Sequence, residues 1–314
     1  MNTLLVMAAG LGKRYGDLKQ MDAMGPHGET VLDYSVFDAM RAGFERVVFV
    51  IRAEFEAAFK ARIGSRYANR IQVAYVLQDL QDLPAGFSVP SGRTQPWGTL
   101  HAVLAARDAL DGPFAVVNAD DFYGREAFSS IGRFFADIGE KSAISGGTGQ
   151  LGDPRIDHYC MMGYRVRNTL SGNGGVNRGI CLEQDGFLIS AEEHTDIRLD
   201  SDGVCRGNNL AGKRVPVSLE AVSSMNIWGF TATVLAHMAK HFEAFLEVNG
   251  ESLTAECYIP SVVDSVIRNR LADCRILPTA SNWFGVTYPQ DRAICVDNIR
   301  KLVSAGVYPA DLWR

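Results

Sequence analysis

The sequence predicts an α/β protein built on a mostly parallel sheet covered by helices on both faces. Three observations predict it. Across the first 140 or so residues, short buried apolar runs alternate with amphipathic stretches of helical length. The 314 residues are 47% apolar and 21% charged, so the chain can bury a large core without metal or disulfide staples. Glycine is over-represented, 31 of 314 residues, and several glycines fall in loops that follow predicted strands.

The elements follow in order. Thr3 to Ala9 is an apolar run that reads as a buried strand and ends in Gly10. A helical pattern covers Val31 to Ala42, with Gly43 as its stop. Arg46 to Ile51 (RVVFVI) is a second buried strand, Glu54 to Ile63 a helix, and Ile71 to Leu77 a third strand. A loop rich in Gly, Pro and Ser leads to a helix over Thr99 to Ala109. Phe114 to Asn118 (FAVVN) is a fourth strand and Phe128 to Ile138 another helix.

After about residue 146 the pattern changes. Tyr159 to Val166, Gly179 to Leu182 and Phe187 to Ile189 read as strands joined by turns, and Gln184-Asp185-Gly186 is a hairpin signal. Ala221 to Phe230 is an apolar strand, 232–247 and 255–270 are helical, and Arg275 to Leu277 and Phe284 to Tyr288 are short strands. Asp291 to Ala305 closes the chain as a helix. The whole, 1–314, reads as a single domain with a change of character at 145/146.

Charge and composition narrow the function. A net charge of −5 argues against a protein that coats nucleic acid. The opening MNTLLVMAAG lacks the basic region of a signal peptide, and no segment approaches the length of a membrane span. The expectation is a cytoplasmic protein that binds neither membrane nor nucleic acid. Six cysteines without a CxxC pair read as buried, reduced thiols.

The loop after the first strand reads MAAGLGKRYGDLKQ from Met7. Ala8, Ala9, Gly10 and Gly12 have little or no side chain, so backbone N–H groups there can approach an anion closely. Lys13, Arg14 and Lys19 add three positive charges. Neither GxxxxGK[ST] nor GxGxxG is present, since Tyr15 stands where the third glycine of the latter would be. The residues leave two readings, a polyphosphate cradle or a structural loop with solvated charges.

Two further constellations stand downstream. In Gln95-Pro96-Trp97-Gly98-Thr99, Gln95 is suited to reading a base edge and Thr99 to capping the following helix. Asp120 and Asp121 follow the fourth strand directly, and two adjacent carboxylates there suit either a surface turn or a divalent cation with phosphate ligands.

In this order the motifs resemble those of the nucleotidyltransferase superfamily with a GT-A-like fold, the sugar-1-phosphate nucleotidyltransferases or NDP-sugar pyrophosphorylases. The resemblance is specific over residues 3–121 and looser beyond. It implies a Rossmann-like three-layer α/β/α fold with a mixed, mostly parallel sheet and a β elaboration that binds the acceptor. Residues 1–145 become the nucleotide-binding half and 146–314 the acceptor-binding half with the C-terminal helices. Ala8, Ala9, Gly10, Gly12 and Lys13 then belong to the phosphate loop. Arg14 falls on the family's β- and γ-phosphate contact and Lys19 on its α-phosphate contact, although Leu18 replaces the usual proline. Gln95, Gly98 and Thr99 match the element that recognises base and ribose.

Asp120 matches the aspartate that binds Mg²⁺, the implied cofactor. The second metal ligand falls on Asn226, because the closing W-x-D segment reads Trp283-Phe284-Gly285 here. Asn226 also reads as a buried asparagine that satisfies backbone groups. On the acceptor side Gly179 and Glu193 match, but the lysine that follows the glutamate is replaced by His194. Lys213 either takes that place or is a solvated surface residue.

The implied reaction is Mg²⁺-dependent transfer of a nucleotidyl group from an NTP to a phosphorylated small molecule, foremost a sugar 1-phosphate. Its products are pyrophosphate and an NDP-sugar. A cytidylyltransferase that forms a CDP-alcohol from a phosphocholine-type acceptor and a non-catalytic nucleotide-binding regulator remain as alternatives. Homo-oligomerisation is left open.

Overall fold

The computed structural model describes residues 1–10, 21–67, 69–143, 156–286 and 288–314, with only the backbone of 140–143. The first strand is β1 (Thr3–Met7), followed by α1 (Val31–Arg41), β2 (Arg46–Ile51), α2 (Glu56–Arg62) and β3 (Gln72–Leu77). Then come α3 (Thr99–Ala105), β4 (Phe114–Asn118), the two-residue β5 (Asp121–Phe122) and α4 (Arg125–Ala143). β1 pairs in parallel with both β2 and β4, and β2 with β3, giving the order β3-β2-β1-β4.

Strict alternation along these strands feeds two cores. Leu4, Val6, Val47, Phe49, Ala115 and Val117 pack under α1, α2 and α4 on one face. Leu5, Val48, Val50, Phe114 and Val116 pack under α3 and two later helices on the other. The three-layer α/β/α arrangement follows from that alternation. α1 begins with a capping box, in which the Asp33 N–H donates to Thr30 Oγ1 at 3.3 Å and the Thr30 N–H to Asp33 Oδ2 at 2.6 Å.

The second half continues the same sheet. Its strands are β6 (Asp157–Arg165), β7 (Val176–Gln184), β8 (Phe187–Leu199), β9 (Cys205–Asn208), β10 (Arg214–Pro216) and β11 (Val222–Phe230). After them come α5 (Val234–Asn249), α6 (Ile259–Arg268), β12 (Ala272–Pro278), β13 (Phe284–Gly285) and α7 (Asp291–Ser304). β11 joins the halves, pairing antiparallel with β4. From there β11-β6-β12-β8-β7 returns to β11, so five strands close into a ring.

This corrects the expectation of a mostly parallel sheet. Among the described residues only β1–β2, β1–β4, β2–β3 and β6–β12 are parallel. The other pairings are antiparallel because most strands after residue 157 follow one another through turns, and a turn of a few residues can only reverse the chain. At Asp185-Gly186, φ values of +54° and +80° make the predicted hairpin turn between β7 and β8.

β8 runs for 13 residues instead of the three predicted, because its outer part is mostly polar and pairs with β9 beyond the ring. β5, β9 and β10 are too short for sequence periodicity to reveal. The last helices fold back over the first half. α5 packs against α3, and α7 and the C-terminal Tyr308 and Leu312 share a core with Tyr34 of α1 and Phe122 of β5. All six cysteines are buried and unpaired, as predicted. Among the described residues no helix is long and apolar enough to cross a membrane.

Candidate active site

Because Met7 pairs with Asn118 in register, the segments leaving β1 and β4 emerge side by side at the carboxyl end of the parallel strands. The first is Ala8-Ala9-Gly10. The Ala8 N–H donates to the Val50 carbonyl at 2.8 Å, after which the chain departs from the sheet, and a side chain at Gly10 would meet none of the described residues. Gly12, Lys13, Arg14 and Lys19 lie outside the described residues.

The second segment is Ala119-Asp120-Asp121. Asp121 is buried, and its carboxylate accepts from Asn118 Nδ2 at 2.8 Å and lies 3.3 Å from the Tyr123 hydroxyl. That hydroxyl accepts from the Asn118 N–H and sits 3.0 Å from the Met225 carbonyl oxygen, tying the end of β4 to β11. Gly285 pairs with Asp121 across β5 and β13, and a Cβ there would come within 2.3 Å of Asp121 Oδ1. The fit explains why the Trp283-Phe284-Gly285 segment carries no acidic side chain.

Between β4 and the ring lies a polar pocket of about 200 Å³. Asp120 lines it from the parallel side. Gly179, Glu193 and Asn226 line it from β7, β8 and β11. Gly179 pairs with Glu193 on one side and Ser224 on the other, so the three stand in one row across adjacent strands. Asn226 sits where the pairing of β11 with β6 slips, with φ of +57°, a conformation asparagine tolerates better than most residues. Four of the five residues predicted for metal and acceptor thus share one cavity. Burial raises the Glu193 carboxyl above the usual range, and the nearby Arg178 pulls against that shift.

Other predicted residues lie elsewhere. Lys213 is exposed beside the β9–β10 turn, its N–H on Asn209 Oδ1 at 2.9 Å, and does not line the pocket. Gln95 Nε2 donates to Glu256 Oε1. Gly98 has φ of +99° and presses on the Cys257 backbone. Thr99 Oγ1 accepts the Ile259 N–H at 3.1 Å, so it caps the start of α6, whereas the sequence suggested it would cap its own helix. The 95–99 element therefore docks on the loop that leads into α6, whose Pro260 lines the pocket.

Sequence reasoning left Arg178, Asn177 and Trp283 out of the site, and all three line it. Arg178 was visible only as an odd charge at the start of a hydrophobic strand motif.

Residues 4–155 match the family model described as nucleotidyl transferase. Over that stretch, just under half of the chain, the sequence is similar to nucleotidyl transferases. The fold is similar to that of several solved structures. One is described as a glucose-1-phosphate thymidylyltransferase from Bacillus anthracis in complex with sucrose (9% identity, 96% of each chain covered, TM-score 0.61). The second is a UDP-glucose pyrophosphorylase complexed with UDP-glucose (14% identity, 96% of this chain and 99% of that one, TM-score 0.56). The third is the inositol-1-phosphate CTP transferase from T. maritima (12% identity, 96% of each chain, TM-score 0.56). No curated protein matches the chain significantly.

Proposed function

We propose that this protein is a Mg²⁺-dependent nucleotidyltransferase that forms an NDP-sugar from an NTP and a sugar 1-phosphate, with the transfer taking place in the pocket between β4 and the five-strand ring. The observation that supports this most is that Asp120, from the phosphate-loop edge of the sheet, opens into the same 200 Å³ cavity as Gly179, Glu193 and Asn226. One side then belongs to the nucleotide and the other to the acceptor. The solved structures of similar fold carry glucose-1-phosphate, UDP-glucose and inositol-1-phosphate in their descriptions, in keeping with a phosphorylated polyol as acceptor.

Asp120 and Asn226 offer one carboxylate and one amide oxygen. Mg²⁺ takes one or two protein oxygens and completes its shell with phosphate and water, so the donor set fits. Among the described residues no group of three or more His, Cys, Asp or Glu side chains could hold a metal by itself. When bound, Mg²⁺ would supply charge neutralisation at the phosphates. In the transfer an acceptor phosphate oxygen attacks the α-phosphorus, a new P–O bond forms, and the bond to pyrophosphate breaks.

The nucleophile is already anionic, so the protein contributes placement and charge rather than a base. Arg14, with the Ala8–Gly12 backbone and Lys13, would hold the leaving pyrophosphate, and Lys19 the α-phosphate. Gln95, Gly98 and Thr99 would bound the base and ribose. Glu193 and the Gly179 backbone would receive sugar hydroxyls.

Pyrophosphate release measured across the four common NTPs with a panel of sugar 1-phosphates, with Mg²⁺ and then with EDTA, tests the proposal. Turnover with at least one pair, abolished by EDTA, is expected. The absence of turnover in both directions across the panel would overturn it.

A further inference from the structure

Asp120 and Asn226 reach the pocket from two strands whose ladder ends before either residue. Asp120 follows the end of β4, and Asn226 sits in the stretch of β11 where the pairing with β6 slips between Ser224 and Trp228. β4 and β11 pair only from Trp228 to Phe230 against Phe114 to Val116. One buried side chain spans the gap beyond that ladder. Tyr123 is 0% exposed and lies in the apolar core that also holds Ala119, Met225 and Ile227. Its hydroxyl accepts from the Asn118 N–H at 3.1 Å. It stands 3.0 Å from the Met225 carbonyl oxygen and 3.3 Å from Asp121 Oδ2.

A phenol has one proton to donate, and the Met225 carbonyl is the nearer acceptor. The hydroxyl therefore bonds a backbone group two residues before Asp120 and another one residue before Asn226. Other bonds hold each segment by itself. The Val286 N–H donates to the Asp120 carbonyl at 3.3 Å, and the Asn226 N–H to Ser224 Oγ at 3.3 Å. Neither of these crosses from β4 to β11. Spacing matters here because Mg²⁺ demands near-ideal geometry of its oxygen donors, and groups one step removed from the ligands commonly set metal affinity.

We propose that Tyr123 is a positioning residue whose hydroxyl fixes the span between Asp120 and Asn226, and thereby sets how tightly the pocket holds a divalent cation. The proposal rests on the nucleotidyl-transfer reading for the use of that cation, but cation affinity can be measured without turnover. Tyr123→Phe keeps the buried ring and removes the one atom that the Asn118 N–H and the Met225 carbonyl share. The ends of β4 and β11 then lose a common anchor while each keeps its own local bonds.

The test titrates the full chain with Mn²⁺ alone, read from the electron paramagnetic resonance signal of the free ion, in the wild type, Tyr123→Phe, Tyr164→Phe and Asp120→Asn. Tyr164→Phe is the matched control. Its hydroxyl is also buried and donates to the Tyr123 carbonyl at 2.9 Å, so its loss removes a hydrogen bond from the same core without touching the link to Met225. Asp120→Asn should abolish Mn²⁺ binding, which places the ion in this pocket. Tyr123→Phe should weaken it about tenfold, the lower end for a group one step from a ligand. Tyr164→Phe should leave it unchanged, although both phenylalanine variants lower the urea midpoint. With any NTP and acceptor that turn over, half-saturating Mg²⁺ should rise by a similar factor in Tyr123→Phe, and kcat should recover at saturating Mg²⁺. Wild-type Mn²⁺ affinity in Tyr123→Phe overturns the inference. So does an equal loss in Tyr164→Phe, Mn²⁺ binding that survives Asp120→Asn, or a wild type that binds no Mn²⁺. Turnover with unchanged Mg²⁺ dependence in Tyr123→Phe overturns it while leaving the proposed function standing. A loss of Mn²⁺ affinity confined to Tyr123→Phe and Asp120→Asn, in a chain that turns over nothing on the panel, does the reverse.

Discussion

On the parallel side of the sheet, Ala8 to Gly10 and Asp120 sit just past the ends of β1 and β4, where the regular ladder gives way to single backbone hydrogen bonds such as Ala8 N–H to Val50 and Val286 N–H to Asp120. In the ring, Arg178, Gly179 and Glu193 stand inside β7 and β8, paired on both sides or facing a paired neighbour. The same cavity is thus built by two methods. A residue beyond a strand end takes little part in holding the sheet, so its type can follow chemistry alone. A residue within a ring strand serves the ladder and the site together, and its orientation depends on the ring closing. Substitutions on the first side should change activity with little change in stability. On the second they should change both.

The largest expected effect is at Asp120. Asp120→Asn should lower kcat on the order of 10²–10³-fold, the scale of losing one charge-stabilising group at a transferring phosphoryl centre. Its urea midpoint should stay at the wild-type value. A matching fall in the midpoint would place Asp120 with the ring residues and break the contrast.

Asp38 tests the contrast from inside the parallel side, because it is a carboxylate in α1 that serves packing alone. It is 1% exposed, its Oδ2 accepts from the Tyr308 hydroxyl at 2.5 Å, and its Oδ1 has no partner. Burial is the main cause of a carboxyl pKa raised to about 7, with the Tyr308 bond, Arg41 and Arg125 opposing it. A folded-state pKa above the unfolded one means the native chain holds the extra proton between about pH 4 and pH 7. Stability is then greatest at the acid end of that window and falls as pH rises, with a slope approaching about 1.4 kcal/mol per unit from this group. Asp38→Asn should remove the slope, so the variant gains on the wild type in urea midpoints at pH 8 relative to pH 5. Parallel profiles would show that Asp38 is ionised in the fold.

These two carboxylates also show what could be read from sequence. Asp120 follows a five-residue apolar strand, and the strand, loop and Asp form a local pattern. Asp38 looks like any helical aspartate, since what buries it is the C-terminal segment some 270 residues away. The strands β1, β2 and β4 were legible because both faces are buried and they read as unbroken apolar runs. The ring was not, because its closure rests on pairings between β7, β8, β11 and β12 that no local pattern encodes. For the same reason Arg178 escaped notice while its neighbour Gly179 was named.

At Gly98 the two regions meet. Its φ of +99° with ψ of −176° lies in a region essentially restricted to glycine, and a Cβ would stand 2.4 Å from the Cys257 carbonyl oxygen. Gly98→Ala should cost about 1–3 kcal/mol from backbone strain, before any loss from displacing Cys257 and the start of α6. Urea unfolding at fixed pH measures it. A neutral substitution would mean that the 95–99 element is free to move from α6 and belongs to the nucleotide side alone.

The smallest effect is the sharpest for the contrast, because Asn226 combines both methods. It belongs to a ring strand, yet the slipped pairing between Ser224 and Trp228 frees it from the ladder. Its backbone needs φ of +57°, and its side chain opens into the pocket. Asn226→Gly keeps the backbone comfortable and removes the amide, whereas Asn226→Ala removes the amide and adds about 1 kcal/mol of left-handed strain. If the amide is a metal ligand, both variants should lose turnover equally and require more Mg²⁺ for half-maximal rate, while only the alanine variant loses stability. Equal midpoints with wild-type Mg²⁺ dependence would assign Asn226 to neither role. A loss of turnover confined to the alanine variant would show that the bend in β11, not the amide, is what the site uses.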